Sequence, residues 1–112
     1  MVTNTNSSYN TAIGQGSMYN TNGGNGANTA VGNLAMLANT TGATNVAVGD
    51  NASRLNLTGV DNTACGTYSL YSNQTSRNTA VGLSAGYTTT GADNTYVGYR
   101  AGLGATGAEA GN

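Results

Sequence analysis

The pentapeptide Asn-Thr-Ala-Val-Gly occupies residues Asn28 to Gly32 and returns unchanged at Asn78 to Gly82. Altered copies open at Asn10 (NTAIG), Asn45 (NVAVG), Asn62 (NTACG) and Asn94 (NTYVG), so the opening asparagines are separated by 18, 17, 17, 16 and 16 residues. A near-constant period of this length, with no helical pattern inside it, marks a solenoid built from one supersecondary unit per repeat. Each unit holds about five residues of strand character, a glycine, a second short stretch (NLAML, DNASRL, TYSLY, LSAGY, YRAGL) and a polar turn. Three of the turns carry Thr-Gly, at Thr41-Gly42, Thr58-Gly59 and Thr90-Gly91. Sixteen residues with two corners are too few for a helical hairpin, and glycine permits the backbone to bend where a chain must corner. The period predicts an all-β fold: a parallel β-solenoid of about six rungs over residues 10–109. Residues 1–9 form a lead-in or degenerate rung, and residues 110–112 start a truncated or uncapped next one.

Superposing the copies turns the sequence into columns. The fourth position reads Ile13, Val31, Val48, Cys65, Val81, Val97, and this apolar column is expected to fill the interior. The second position reads Thr11, Thr29, Val46, Thr63, Thr79, Thr95; it lies two residues away on the strand and is expected to share the inward face. Cys65 then acts as a small hydrophobe in a valine column. Two other columns hold small residues: the third (alanine five times, then Tyr96) and the eighth (Ser17, Ala35, Ala52, Ser69, Ala85, Ala101). Either column fits a narrow interior or a seam against another chain. The residues before the opening asparagines place Asp61, Arg77, Asp93 and Glu109 in one line, a charge ladder with Arg77 about 4.8 Å from each neighbouring rung.

Composition narrows the function. Among 112 residues there are 18 glycines, three basic residues and four acidic ones, with no histidine, proline, tryptophan or phenylalanine, for a net charge of -1. No basic footprint exists for nucleic acid or anionic lipid, and no apolar run reaches the roughly 20 residues of a membrane span, so neither nucleic acid nor membrane insertion is expected. Cys65 is the single cysteine and cannot form an intrachain disulfide. No signal-peptide pattern opens the chain. Without histidine or a second cysteine there is no metal or nucleophile constellation, and no catalytic residue, cofactor or metal is expected. GLGATG at Gly102 to Gly107 matches a dinucleotide fingerprint in letters only, since no acidic residue follows at the required distance. GGNG at Gly23 to Gly26 lacks the aspartate of the calcium-binding nonapeptide. Asp93 and Glu109 on adjacent rungs have the spacing of a retaining glycosidase pair, but no apolar pocket is evident to raise one pKa. Sequons at Asn6, Asn39, Asn51, Asn56 and Asn73 are what chance supplies in a chain so rich in asparagine and threonine.

The repeated NTAVGxxA pattern with Thr-Gly turns resembles the head repeats of trimeric autotransporter adhesins, and more closely the Asn-Thr-Ala-Val/Ile-Gly repeats of phage tail fibres and related surface proteins. The likeness spans Asn10 to about Glu109. It implies a left-handed parallel β-roll with three chains side by side, in an extracellular, cell-surface or virion setting. The period of 16 to 18 residues is longer than the roughly 14 of the adhesin heads, so details of the trimer seam do not carry over. Six valine-sized side chains bury too little to offset the ordering of a whole chain, which also predicts an oligomer, a trimer above other states.

The functional expectation is therefore a structural fibre module that presents a surface to a cell-surface glycan or protein receptor. Tyr68, Tyr71, Tyr87, Tyr99 and Arg100 are its candidate residues, either as that surface or as filling between chains. Two rivals stand beside it. One is a filament subunit that stacks end to end through uncapped solenoid ends. The other is an ice-binding solenoid, which needs a flat outward threonine array, whereas the threonine column is expected to look inward.

Overall fold

The computed structural model describes residues 9–21 and 26–104. Each opening copy of the pentapeptide contributes one three-residue strand: β1 (Thr11–Ile13), β2 (Thr29–Val31), β3 (Val46–Val48), β4 (Thr63–Cys65), β6 (Thr79–Val81) and β8 (Thr95–Val97). Two shorter strands, β5 (Ser72–Asn73) and β7 (Thr88–Thr89), lie on the other side of the coil. The six strands form one parallel sheet in the order β1-β2-β3-β4-β6-β8, and β5 pairs with β7 in a second. The register matches the sequence columns residue for residue: Thr11 pairs with Thr29, Ala12 with Ala30, Ile13 with Val31, and so on to Val97. The expected parallel β-solenoid is the fold, stacked along a 37 Å axis.

The interior differs from expectation. The column Ile13, Val31, Val48, Cys65, Val81, Val97 is not the core: Ile13 is 59 % exposed and Val97 61 %, Val48, Cys65 and Val81 are exposed, and Val31 is half-buried. The threonine column shares that outward face, with Val46 exposed among it. Inward-pointing residues are those between them, Ala30, Ala47, Ala64, Ala80 and Tyr96, all fully buried. The eighth-position column faces them, with Ser17, Ala35, Ala52, Ser69 and Ala85 buried. Both small-residue columns therefore line the interior rather than a seam. Strand alternation forced a choice between two sets, and the coil is too thin to hold valines from one wall and side chains from the other.

Met18, Met36 and Leu70, one position further on, and two columns of asparagine fill the rest. Every opening asparagine from Asn28 to Asn94 is buried, and its main-chain N–H donates to the Oδ1 of the asparagine one rung earlier, at 2.9 Å for Asn28 to Asn10, Asn45 to Asn28, Asn62 to Asn45 and Asn78 to Asn62, and at 3.0 Å for Asn94 to Asn78. A second buried column, Asn39, Asn56 and Asn73, holds the opposite turn. The two columns meet on shared carbonyls: Gly42 O accepts from Asn28 Nδ2 and Asn39 Nδ2, Gly59 O from Asn45 and Asn56, and Thr75 O from Asn62 and Asn73. Amides in so dry a place are tolerated because their donors and acceptors are used within the stack. Three of the five sequon asparagines, Asn39, Asn56 and Asn73, are thereby committed to this network.

Corners are made in two ways. The glycine closing each pentapeptide has φ between 124° and 139°, and a Cβ on Gly14, Gly32, Gly49, Gly66 or Gly82 would lie 2.3 to 2.7 Å from carbonyl oxygen of the glycine above. Fifteen non-glycine residues among the described ones also have positive φ, including the run Thr44, Asp61, Arg77 and Asp93 before successive asparagines. Cooperative ladders above and below hold these residues in a region that costs them of order 1 to 3 kcal/mol each.

Candidate functional site

Two outward features could meet a partner. The first is the sheet face itself. Its two columns present threonine and valine-class side chains at about 4.8 Å between strands and about 6.6 Å along each strand. None of the twelve residues in these columns carries a charge. The charge ladder lies at the N-terminal rim of this face. Arg77 holds Asp93 in a bidentate pair, Nε to Oδ1 at 2.5 Å and Nη2 to Oδ2 at 3.0 Å, with both side chains largely exposed. The hydrogen bond from Arg77 holds the Asp93 carboxyl below its ordinary value. Asp61, expected to flank Arg77 from the other rung, instead accepts a hydrogen bond from the Thr44 hydroxyl and adds a weaker attraction to Arg77. Glu109 lies outside the described residues. A depressed carboxyl is the opposite of what a general acid needs, which weighs against Asp93 in a glycosidase pair.

The second feature is aromatic. Tyr71 and Tyr87, in one column on successive rungs, stack with centroids 4.9 Å apart and planes 6° from parallel. Tyr68 packs tilted against both, at 5.5 and 6.1 Å. Arg54, one rung earlier in the same column, stands 6.0 Å over the Tyr71 ring and donates to its hydroxyl at 3.4 Å. Arg54 was not among the sequence candidates, although reading the tenth column as Tyr19, Leu37, Arg54, Tyr71, Tyr87, Leu103 would have found it. Tyr99 and Arg100 form a separate pair, Arg100 5.5 Å over the Tyr99 ring. The five sequence candidates thus divide into a three-ring cluster and a two-residue patch on the last rung. Because Tyr71 and Tyr87 cover each other's faces, the stack offers ring edges and hydroxyls outward, with no open ring face between them for a sugar to lie on.

Every rung repeats one backbone path, so like positions superpose whatever side chain they carry, and this is what stacks Tyr71 on Tyr87. Cys65 sits exposed at mid-sheet among valines. Among the described residues no group of three or more histidine, cysteine or acidic side chains is arranged to hold a metal. No helix among them is long and apolar enough to cross a membrane. Comparison with family models, with curated proteins and with solved structures found no match for the chain.

Proposed function

We propose that the protein is a structural fibre module whose chains associate side by side through the outward Thr-x-Val face, three to an assembly, in an extracellular, cell-surface or virion fibre. The carrying observation is the inversion of the strand. Its valine-class groups, Ile13, Val46, Val48, Val81 and Val97, point away from the chain's own interior, while the inward strand positions hold alanine, with Tyr96 in β8, beside the buried asparagines. A contiguous uncharged face with a polar rim has the anatomy of a protein interface. Side-by-side packing would bury these columns and add a second apolar layer to the chain's own core, in which Met18, Met36, Leu70 and Tyr96 pack among alanines. The tyrosine cluster, beyond the glycine corner from this face, remains open to a protein or glycan partner in such an assembly. Sedimentation equilibrium of the native chain tests the reading: a mass of three chains supports it, and a stable folded monomer at micromolar concentration overturns it.

The outward threonines also favour a second reading. The objection that their column looks inward does not hold, because Thr11 and Thr95 are exposed and Thr29, Thr63 and Thr79 half-exposed on a regular array. Ordered hydroxyls and methyls at fixed spacing are suited to binding an ice surface. Thermal hysteresis at millimolar protein supports this reading, and its absence removes it.

A further inference from the structure

Among the described residues Arg54 is a cation with no carboxylate beside it. Arg77 spends its charge on Asp93, and that is the ion pair the described residues make. Asp50, the acid on Arg54's own rung, gives Oδ1 to the Asn33 amide and Oδ2 to the Asn51 amide, each at 2.7 Å. Of the guanidinium's donors Nη1 makes one long bond, 3.4 Å to the Tyr71 hydroxyl, while Nε is buried with no hydrogen-bond partner. A half-buried charge is costly without an ionic partner, and the Tyr71 ring, 6.0 Å from Cζ, offsets that cost only in part. Packing along the stack does not account for the charge either, since Leu37 and Tyr71 occupy the same column on the rungs to either side.

The surroundings of the charge specify what would pair with it. Tyr87 covers one face of Tyr71 and Arg54 covers the other, and Tyr68, on the Tyr71 rung, tilts against both rings. Arg54 Nη1 is the one described donor that reaches any of the three hydroxyls. With the faces inside the column covered, the cluster turns outward a row of hydroxyls beside an unpaired guanidinium. Such a set of donors and acceptors suits a polyol that carries an oxyanion better than it suits the apolar anchor of a protein hot spot. A planar carboxylate matches the guanidinium fork through two parallel bonds.

We propose that Arg54 and the hydroxyls of Tyr68, Tyr71 and Tyr87 form a binding site for a sugar acid, its carboxylate paired with the Arg54 guanidinium and its hydroxyls bonded edge-on to the tyrosines. The carboxylate is held by the terminal nitrogens, Nη1 exchanging its long bond to Tyr71 for the ligand, and the Tyr71 hydroxyl is released to bond a sugar hydroxyl. A neutral sugar lacks the charge that Arg54 requires, and a simple carboxylate lacks the hydroxyls. The site rests on the reading of the tyrosine cluster as open to an outside partner, and not on side-by-side association through the Thr-x-Val face.

The test is a saturation-transfer NMR titration of the full chain with glucuronate, glucose, acetate and an end-blocked peptide of glutamates. Glucuronate is expected to bind in the millimolar range, about tenfold tighter than each of the others. Arg54→Gln should weaken glucuronate about tenfold, whereas Arg100→Gln, whose cation stands over Tyr99 on the separate patch, should leave it unchanged. Tyr87→Phe, which keeps the ring and removes the hydroxyl, should weaken it by about threefold at an unchanged melting temperature. Should Arg54→Gln fail to fold by circular dichroism, Arg54→Lys, which keeps the charge and loses the fork, is read in its place and should also weaken glucuronate. No saturable glucuronate binding, or a folded Arg54 variant that binds it as wild type does, overturns the proposal. So does acetate binding as tightly (an adventitious carboxylate only), the peptide binding as tightly (a protein site), or an equal loss in Arg54→Gln and Arg100→Gln (general charge attraction). Sedimentation equilibrium on the same samples keeps the two readings apart: glucuronate bound by a single-chain species removes the fibre assembly and supports this site.

Discussion

The two faces of a single strand make the sharpest contrast in the molecule. On the inner face stand Asn62 and Ala64, each almost entirely buried, the first bonded to the rungs before and after it. On the outer face stand Thr63 and Cys65, bonded to no other side chain and open to a partner. Hydrophobicity alone would reverse these roles. Small residues line the strand wall, save Tyr96, while Met18, Met36 and Leu70 fill the interior from the ninth column, and alternation then sends the valine-class residues outward. A monomer of this kind has an inside that combines an amide ladder with an alanine-rich apolar cluster, and an outside equipped with further apolar groups.

The largest expected effect tests the inner face where it departs from small residues. Tyr96 takes the alanine position of the last rung, and its ring occupies the space beside Gly86 and Gly102, where a Cβ on Gly102 would come within 2.1 Å of it. Lower rungs place Met36 and Leu70 in that ninth column. Large and small have exchanged walls. Tyr96→Ala leaves a cavity and is expected to cost about 3 to 5 kcal/mol in denaturant titration. Tyr96→Ala combined with Gly86→Leu, which restores the pattern of lower rungs, should recover part of that loss, limited by the strain of leucine at φ 57°.

Next in size is the amide ladder. Asn62→Leu strips the acceptor from Asn78 N–H and one donor from Thr75 O, and each buried group left unpaired costs about 1 to 3 kcal/mol. Hydrogen exchange should then show faster exchange at Asn78 N–H than at its counterparts in Asn45 and Asn94. If the ladder were ornamental, the leucine would be neutral or stabilising.

Smaller effects belong to the outer features. Tyr87→Ala removes a stacked ring and is expected to cost about 0.5 to 1.5 kcal/mol beyond lost area. The Arg77–Asp93 pair should matter least. The Asp93 pKa is lowered in the fold from an ordinary 3.8, so whatever stability the pair adds is complete above that value and fades as pH falls below it. Acid titration of Asp93→Asn against wild type should therefore show a difference that shrinks at the acid end and is small throughout, because the pair is exposed.

How much of this was legible beforehand follows from what repetition can carry. The period fixes which residues superpose, so the parallel register, the Arg77–Asp93 contact and the Tyr71–Tyr87 stack were all accessible from letters. Inside and outside were not, because a two-residue alternation has two phases and the usual guide between them, that valine is buried and asparagine exposed, is inverted here. The signal that breaks the tie was present in the third column: five alanines in register tolerate only a crowded site, whereas Ile13, Val31 and Cys65 vary in shape as exposed positions do. Tyr96 obscured it, since a tyrosine among alanines looks like a surface residue until Gly86 and Gly102 are seen beneath its ring. Positive φ at Thr44, Asp61 and Arg77 left no trace in residue type, because neighbouring rungs rather than intrinsic preference hold those corners.

If the outward apolar face joins chains side by side, as proposed, a pair of lysines on it should separate them. Val48 and Val81 are 39 % and 40 % exposed, so Val48→Lys with Val81→Lys should leave the isolated coil folded, each costing about 0.5 kcal/mol or less. Sedimentation equilibrium, run with circular dichroism on the same samples, is predicted to give a three-chain mass for wild type and a single-chain mass with retained β signal for the double variant. A double variant that keeps the wild-type mass, or one that unfolds at high dilution where the wild type is a folded monomer, is incompatible with association through this face.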